Sequence, residues 1–501
     1  MLDVQREEIA AAKIKRKKRN WTMEKPDIKM FFSKLSLIIK EFAYYNRKSK
    51  GEEEKMKRKW LSCLLAVALS AGMLAACGQK SATEEEVKVD SEKAGRTPHD
   101  EVEGEITFTA WGSDAELETD QKVLDAFQEE YPNVKVNFEP INDDYLTKVE
   151  TMMLAGEAPD VIYGHPKYFQ KWASQDLLLD LTDYFNNNEQ FQDESVYATN
   201  LYEAFKYKDK MVATVNGADT YLLFYNQDLF DEAGVPYPTE DWTWDDFMDA
   251  CEKLTQDKDG DGEIDQYAIS ANRGHEQLQT WMAAFGGQLY DDVDNPTEVL
   301  ADSEENQEAL QLWYDLIYKY GYAPDAEGEE MITGGFDGGK VAMDIDGVYQ
   351  CVYRSGVDFN MGLASLPMED ENSHYISLMA GYCIPKTTEY PEAAWALASF
   401  MQEQKGQEVL ASTGLITTVN KEVAKSDAVI NMEGAPDNHI LRVTSLDNAV
   451  NADAKLTNWQ ETLDTVWTPV IDQLWNGDLT VKETLDEIQT GLEEMLDQGK
   501  E

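Results

Sequence analysis

Cysteine is scarce in this chain: there are five in 501 residues and no CxxC pair, so neither a disulfide framework nor a paired-thiol zinc site holds the fold. Histidine is equally rare, its five copies are scattered, and neither HExxH nor GxSxG occurs. The metallopeptidase and serine-hydrolase signatures are thereby removed. Basic residues are outnumbered, 44 Lys and Arg against 96 Asp and Glu, for a net charge of −52. Such a field repels nucleic acid and anionic lipid, so no nucleic-acid partner is expected. It also empties any single acidic pair of meaning, and motif absence alone leaves open a glycoside hydrolase working with two carboxylates.

What the chain does have is a marker of destination. Residues 56–80 read MKRKWLSCLLAVALSAGMLAACGQK: Lys57, Arg58 and Lys59 form a basic start, 61–73 an apolar run, and 74–78 a small-residue cleavage site containing Cys77. The run is shorter than the roughly 20 residues of a membrane span. Leu-Ala-Ala-Cys resembles the lipobox of bacterial lipoproteins. That resemblance implies that residues 56–76 are removed, that Cys77 carries acyl chains as the first mature residue, and that a lipid anchor alone holds the body at the extracellular face of the cytoplasmic membrane.

Residues 77–104 are acidic and nearly free of large apolar side chains, and read as a flexible tether. Residues 1–55, with a basic cluster at 13–19, lie upstream of the signal. Glu52, Glu53 and Glu54 are compatible with a purine-rich ribosome-binding sequence just ahead of Met56, so Met56 is expected to be the true start and 1–55 a mis-called leader or non-native extension. From Cys77 onward 26 basic residues face 87 acidic ones, a net of −61, which suits a body held off a surface. Three cysteines remain beyond Cys77, an odd number; Cys251, at helical spacing with Phe247 and Leu254, reads as a buried apolar thiol.

Along the body, Ile106, Phe108 and Ala110 alternate as a strand, Val123, Leu124, Phe127 and Tyr131 recur at helical spacing, and Val134, Val136 and Phe138 alternate again. A second helix over Leu146, Val149, Met152 and Met153 stops at Gly156, before the apolar run DVIYG at 160–164. The order β-α-β-α-β predicts a mostly parallel α/β sheet whose ligands bind at the carboxyl ends of the strands, namely 111–113, Glu139 with Pro140, and Gly164 with His165. Residues 211–225 read as two extended pieces interrupted at 216–219.

APDVIYG at 158–164, YLLFYNQDLFDEAGVPYPTEDWTWDDF at 221–247, GGFDGGKVAMDIDG at 334–347 and LWNGDLTVKETLDEI at 474–488 resemble the carbohydrate-type extracellular solute-binding proteins of ABC importers. The likeness runs in order from about residue 106 to 496. It implies the α/β, two-lobed periplasmic-binding-protein fold of type II, with hinged lobes and the ligand cleft between them. The lobes are expected at 105–215 plus about 380–435, and at 216–379 plus about 436–501, with crossings near 214–221 and 379–384. The implied function is capture of a sugar or oligosaccharide by a monomeric receptor, without catalysis, for delivery to permease subunits and through them an ATPase. A receptor for a sensor kinase and a secreted glycoside hydrolase are the alternatives.

Sugars present apolar faces and rings of hydroxyls, so their sites combine aromatic platforms with carboxylate and amide partners. Candidate platforms are Trp111, Trp281, Tyr349 and Tyr382, and candidate polar partners are Ser113, Glu139, Asn216, Asp219 and Asp346. Gly164, Tyr221 and Gly381 complete the set at strand ends and crossings. Trp242, Trp244, Trp313, Trp395, Trp467 and Trp475 are assigned to structure. The loop at 257–265 spaces Asp257, Asp259, Asp261, Glu263 and Asp265 like a calcium loop, with Gly262 at the turn, although Ala268 stands where an EF-hand has its bidentate Glu. A structural Ca²⁺ is expected there, and no organic cofactor. The glycines and Lys340 at 334–341 lack the Ser or Thr of a phosphate loop and lead into a strand, which excludes nucleotide binding.

Overall fold

A computed structural model describes residues 90–499 apart from 369, 370 and 433. The leader, the signal segment, Cys77 and the first part of the tether lie outside the described residues. Strand β1 (Gly104–Thr109) buries Ile106 and Phe108 completely. Helix α1 (Asp114–Glu130) begins at Ser113, whose Oγ accepts the Glu116 amide at 3.4 Å while the Glu116 carboxylate accepts the Ser113 amide at 2.6 Å. This reciprocal cap satisfies two otherwise orphaned donors and fixes where the helix starts. Strand β2 (Val134–Phe138), helix α2 (Tyr145–Ala155), strand β3 (Val161–Gly164) and helix α3 (Pro166–Ser174) follow, with β1 parallel to both β2 and β3. The β-α-β-α-β order is therefore as the periodicity predicts.

A short ribbon, β4 (Lys206–Tyr207) and β5 (Lys210–Met211), leads to β6 (Ala213–Asn226). Here the structure departs from the sequence reading. The stretch at 216–219 does not interrupt the chain, and β6 is one strand of 14 residues. Next come helix α4 (Trp244–Leu254), strand β7 (Tyr267–Ile269), helix α5 (His275–Ala284), helix α6 (Glu304–Tyr318), strand β8 (Val341–Gly347), helical turn α7 (Gln350–Tyr353) and strand β9 (Met361–Ala364). Strand β10 (Tyr375–Cys383), helices α8 (Pro391–Gln402) and α9 (Gln404–Ser412), strand β11 (Ala449–Asn451) and helix α10 (Val481–Gly499) complete the elements used below.

The strand order is β2-β1-β3-β10-β6-β8-β7, with β11 beside β10 and β9 beside β6. Strand β6 runs antiparallel to β10 from Ala213 to Thr220, then antiparallel to β8 from Tyr221 to Tyr225. One strand thus leaves one sheet and enters the next, and the whole is mixed rather than mostly parallel. Two hydrophobic cores mark the two lobes. The first gathers Phe108, Phe127, Phe169, Trp172 and Trp395, and the second gathers Phe247, Trp281, Trp313, Trp459 and Trp467. Core membership switches between Ala218 and Leu223 on β6, after Ile376 on β10, and between Leu446 and Ala454 around β11. The last switch falls later than the boundary near 435 read from sequence.

The tether also ends earlier than its composition suggests. Ala94 and Val102 are buried in the first core, and Asn187 Nδ2 donates to the carbonyls of Ser91 and Ala94 at 2.9 and 3.0 Å. Two small apolar anchors and one amide dock residues 90–103 in spite of their polarity. Cys251, Cys351 and Cys383 are free and buried, and burial pushes the Cys351 thiol up to about 11.

The ladder between β6 and β10 slips at Ala380 and Gly381. Any Cβ at Gly381 would meet the Thr214 carbonyl oxygen and the Phe205 ring. Gly381→Ala is therefore expected to pry the two shared strands apart, costing about 2 kcal/mol or more, read as a lowered urea midpoint.

Candidate functional site

The strand alternation that builds β6 and β10 also builds the floor of a cleft of about 270 Å³ between the lobes. Leu378 lies opposite Asp219, and Ala380 opposite Gly217, so the four share one face. Asn216 joins them although its parity is wrong. Gly381 pairs with Val215 and Ala380 with Gly217, which leaves Asn216 as the extra residue of a β-bulge and turns it to the same face. Its freed carbonyl accepts Gln407 Nε2 at 2.7 Å, while its own side-chain oxygen has no partner among the described residues. Gly217 is required where it stands, because a Cβ would sit 2.8 Å from the Thr417 carbonyl oxygen.

One wall comes from the first lobe. The Trp111 ring lies 4.7 Å from both Tyr145 and Tyr163 and 5.3 Å from His165, centroid to centroid. His165 Nδ1 donates to the Met379 carbonyl at 2.8 Å, which leaves Nε2 as an acceptor. Burial, helped by nearby Lys167, pulls the imidazole down to about 4, so it is neutral at physiological pH. The opposite wall is Tyr349 and Tyr353, presented by α7 from the second lobe. The Tyr353 hydroxyl reaches across the mouth to within 3.4 Å of Ser113 Oγ.

Carboxylates complete the lining. Asp219 uses one oxygen, Oδ1, to accept the Thr417 amide at 2.9 Å and its hydroxyl at 2.8 Å; burial raises it, opposed by Arg442 at 4.0 Å. Glu116 and Asp120 stand one turn apart on α1. Asp120 has no hydrogen-bond partner among the described residues, and burial, with Glu116 beside it, pushes it up to about 7.

Of the residues singled out from sequence, Trp111, Asn216, Asp219 and Tyr349 line this cleft and Ser113 stands at its mouth. Two act from behind Tyr349: Asp346 holds its hydroxyl at 3.3 Å, and Tyr221 packs edge-on to its ring. The others fall elsewhere. Trp281 is 2% exposed, stacked on Trp244 in the second core, because its helix turns that face inward. Tyr382, 1% exposed, packs between Phe108 and Tyr163, and Gly381 is buried against β6. Gly164 packs against Phe169, and Glu139 is exposed outside the cleft. The sequence reading missed Glu116, Asp120, Tyr163, Tyr353 and Ile416 as lining residues, and gave His165 only as part of a strand-end rim. A signal existed only for His165, at a predicted strand end.

In the acidic loop, carboxylate oxygens of Asp257, Asp259 and Asp265 lie within 4.8 Å of one another, whereas Asp261 and Glu263 fall outside that group. Both Asp257 oxygens also cap backbone amides, of Gly260 at 2.7 Å and of Gly262 at 2.9 Å. No helix among the described residues is long and apolar enough to cross a membrane.

Asp120 fixes the sign of one pH effect. Its folded carboxyl holds a proton to about 7, whereas the unfolded one releases it in the ordinary range, so its contribution to stability falls as pH rises between the two. Asp120→Asn is therefore expected to raise the melting temperature by about 3 °C or more at pH 8, a gain that shrinks toward zero by pH 4 in thermal scans of the two proteins.

Comparison with known proteins agrees with this geometry. The family described as bacterial extracellular solute-binding protein matches residues 111–408. The galactooligosaccharide-binding protein of Bacillus subtilis (strain 168) is 22% identical over 394 residues, covering 76% of this chain and 85% of its own. Among solved structures, the ABC substrate-binding protein Lmo0181 of Listeria monocytogenes in complex with cycloalternan is 25% identical with a TM-score of 0.69, over 79% of this chain and 99% of its own. Maltose-bound MalE3 of T. maritima is 22% identical with a TM-score of 0.64, over 78% and 99%. UgpB of Mycobacterium tuberculosis, in complex with glycerophosphocholine, is 19% identical with a TM-score of 0.66, over 79% and 100%. With residues 111–408, more than half of its length, matched by the family model, the chain belongs to the bacterial extracellular solute-binding protein family.

Proposed function

We propose that this protein is the sugar-capturing subunit of an ABC importer, holding a sugar or short oligosaccharide between its lobes and presenting the closed complex to a membrane permease. The observation that carries the reading is the composition of the cleft. Trp111 and Tyr163 on one lobe face Tyr349 and Tyr353 on the other, with Asn216 and Asp219 on the shared floor. Flat rings suit the apolar faces of pyranoses, and amide and carboxylate oxygens accept their hydroxyls. A ligand that touches both walls favours the closed form by its differential affinity, and closure is the state a permease distinguishes. The binding of oligosaccharides by relatives supports the same class of ligand. The lipobox-like sequence around Cys77 supports a lipid-anchored receptor at the outer face of the membrane; we take it to act as a monomer, with ATP hydrolysis left to a partner.

The full chain, screened by thermal shift against galacto-, malto- and gluco-oligosaccharides, is expected to gain about 2.7 kcal/mol from a cognate glycan at 100 times its dissociation constant. Trp111→Ala is expected to weaken that binding at least tenfold, and the glycan should be recovered intact. Stability indifferent to every glycan would reject the sugar reading, and cleavage of the glycan would make the protein a hydrolase.

The acidic loop we assign to a structural Ca²⁺. Three convergent carboxylates are hard oxygen donors of the kind calcium takes, with backbone carbonyls and water to complete six to eight ligands. Chelator is expected to lower the melting temperature of the wild-type protein and to leave that of Asp257→Asn/Asp259→Asn unchanged. Equal chelator response in both proteins would remove the metal from this loop.

A further inference from the structure

Asp120 is not needed to hold α1, which is capped by Ser113 and Glu116, and among the described residues it makes no hydrogen bond of its own. Its carboxyl faces a cleft whose other acidic side chains are Glu116, on the same helix, and Asp219, on β6. Among the described residues no lysine or arginine lines that space. Two cations behind the lining are already engaged: Arg442 stands behind Asp219 at 4.0 Å, and Lys167, behind His165, is paired with Asp453 at 3.3 Å. The groups on other elements that feel the Asp120 charge are the phenols of Tyr145, Tyr163 and Tyr382, all pushed further from ionisation by burial, and none supplies positive charge. His165 is neutral. Every free charge in the cleft is therefore negative. Accepting hydroxyls is common to carboxylates in any sugar site; two of them, Glu116 and Asp120, with no ion-pair partner among the described residues are a statement about the charge of the cargo.

We propose that Asp120 is a specificity-determining residue that sorts sugars by charge, so that the cleft admits neutral and amino sugars and refuses uronic acids and sugar phosphates. The physical basis is repulsion in a space of low dielectric, where a like charge within a few ångströms costs far more than in water, and specificity is achieved by penalising the wrong ligand. An ammonium group gains where a carboxylate loses. The proposal rests on the sugar-receptor reading and sharpens it to a ligand class.

The test uses matched pairs. Galacto-, malto- and gluco-oligosaccharides of two to four units are compared with the same compounds oxidised at C6 to uronic acids, by calorimetry on the full chain. At pH 8 the wild-type protein should bind the acid at least 100-fold more weakly than its neutral parent. Asp120→Asn should cut that ratio at least tenfold, whatever it does to the neutral affinity. The wild-type ratio should also fall as pH drops from 8 to 5.5, where Asp120 takes up a proton while the uronic acid stays ionised, and the variant's ratio should stay flat. This pH arm needs no variant to fold. Equal wild-type affinity for acid and parent would overturn the proposal, and so would an Asn variant that refuses the acid as strongly as the wild type, since shape would then be the filter. Either result leaves the receptor reading intact, whereas binding of no glycan, neutral or charged, would sink that reading and the proposal together.

Discussion

Everything in this molecule hangs on two antiparallel strands that belong to both lobes. At roughly 3.3 Å per residue, the 14 residues of β6 span about 45 Å, enough to start in one sheet and finish in the next. The ladder with β10 fixes which side chains face the gap between the lobes, because register and alternation leave no freedom once the pairs are set. Asp219 and Gly217 reach the cleft by alternation, and Asn216 by the bulge. A single slip in the ladder thus adds an amide to the floor, and its displaced carbonyl is taken up by Gln407 from α9. The same stretch that joins the lobes also supplies the part of the site that belongs to neither.

The layout was legible in the sequence where one physical signal dominates. Alternation and helical spacing give β1, α1, β2, α2 and β3, because each buries one face against one core. The Asn-Gly-Ala-Asp series at 216–219 misled for a definite reason: turn-forming residues break a strand when it has a free edge, but here β10 pairs along them and the loop at Thr417 needs the missing Cβ of Gly217. Trp281 and Tyr382 show the converse limit. A large ring near a strand end or small-residue turn has equal reason to face core or cleft, and only the packing of α4 and of β1 against them decides. Glu116 and Asp120 were invisible because a chain with 96 acidic residues offers such a pair almost everywhere. What distinguishes them is a neighbourhood, with Tyr163, Ile416 and Tyr353 arriving from distant parts of the chain.

The buried carboxylates sort into two kinds, and the difference separates structure from function. Asp453 is almost wholly buried where β11 leads into the second lobe. One of its oxygens accepts Trp459 Nε1 at 2.8 Å and lies 3.3 Å from Lys167 Nζ and 3.4 Å from His275 Nε2, and His275 in turn meets Glu276 at 2.9 Å. Burial works against its charge, but Lys167 and His275 outweigh burial and hold Asp453 well below the usual carboxylate range. A few residues on, Lys455 pairs with Glu203 of the first lobe at 2.6 Å. These pairs cost desolvation and repay it chiefly in geometry, pinning the third crossing to both lobes. A protein this acidic can therefore provide cations where a buried carboxylate serves the fold. Asp120 has none, and its raised proton affinity is the thermodynamic trace of that omission. An unpaired carboxylate destabilises the empty protein and is satisfied only by something that enters the cleft, so its partner has to be sought among ligands rather than among the residues of the chain.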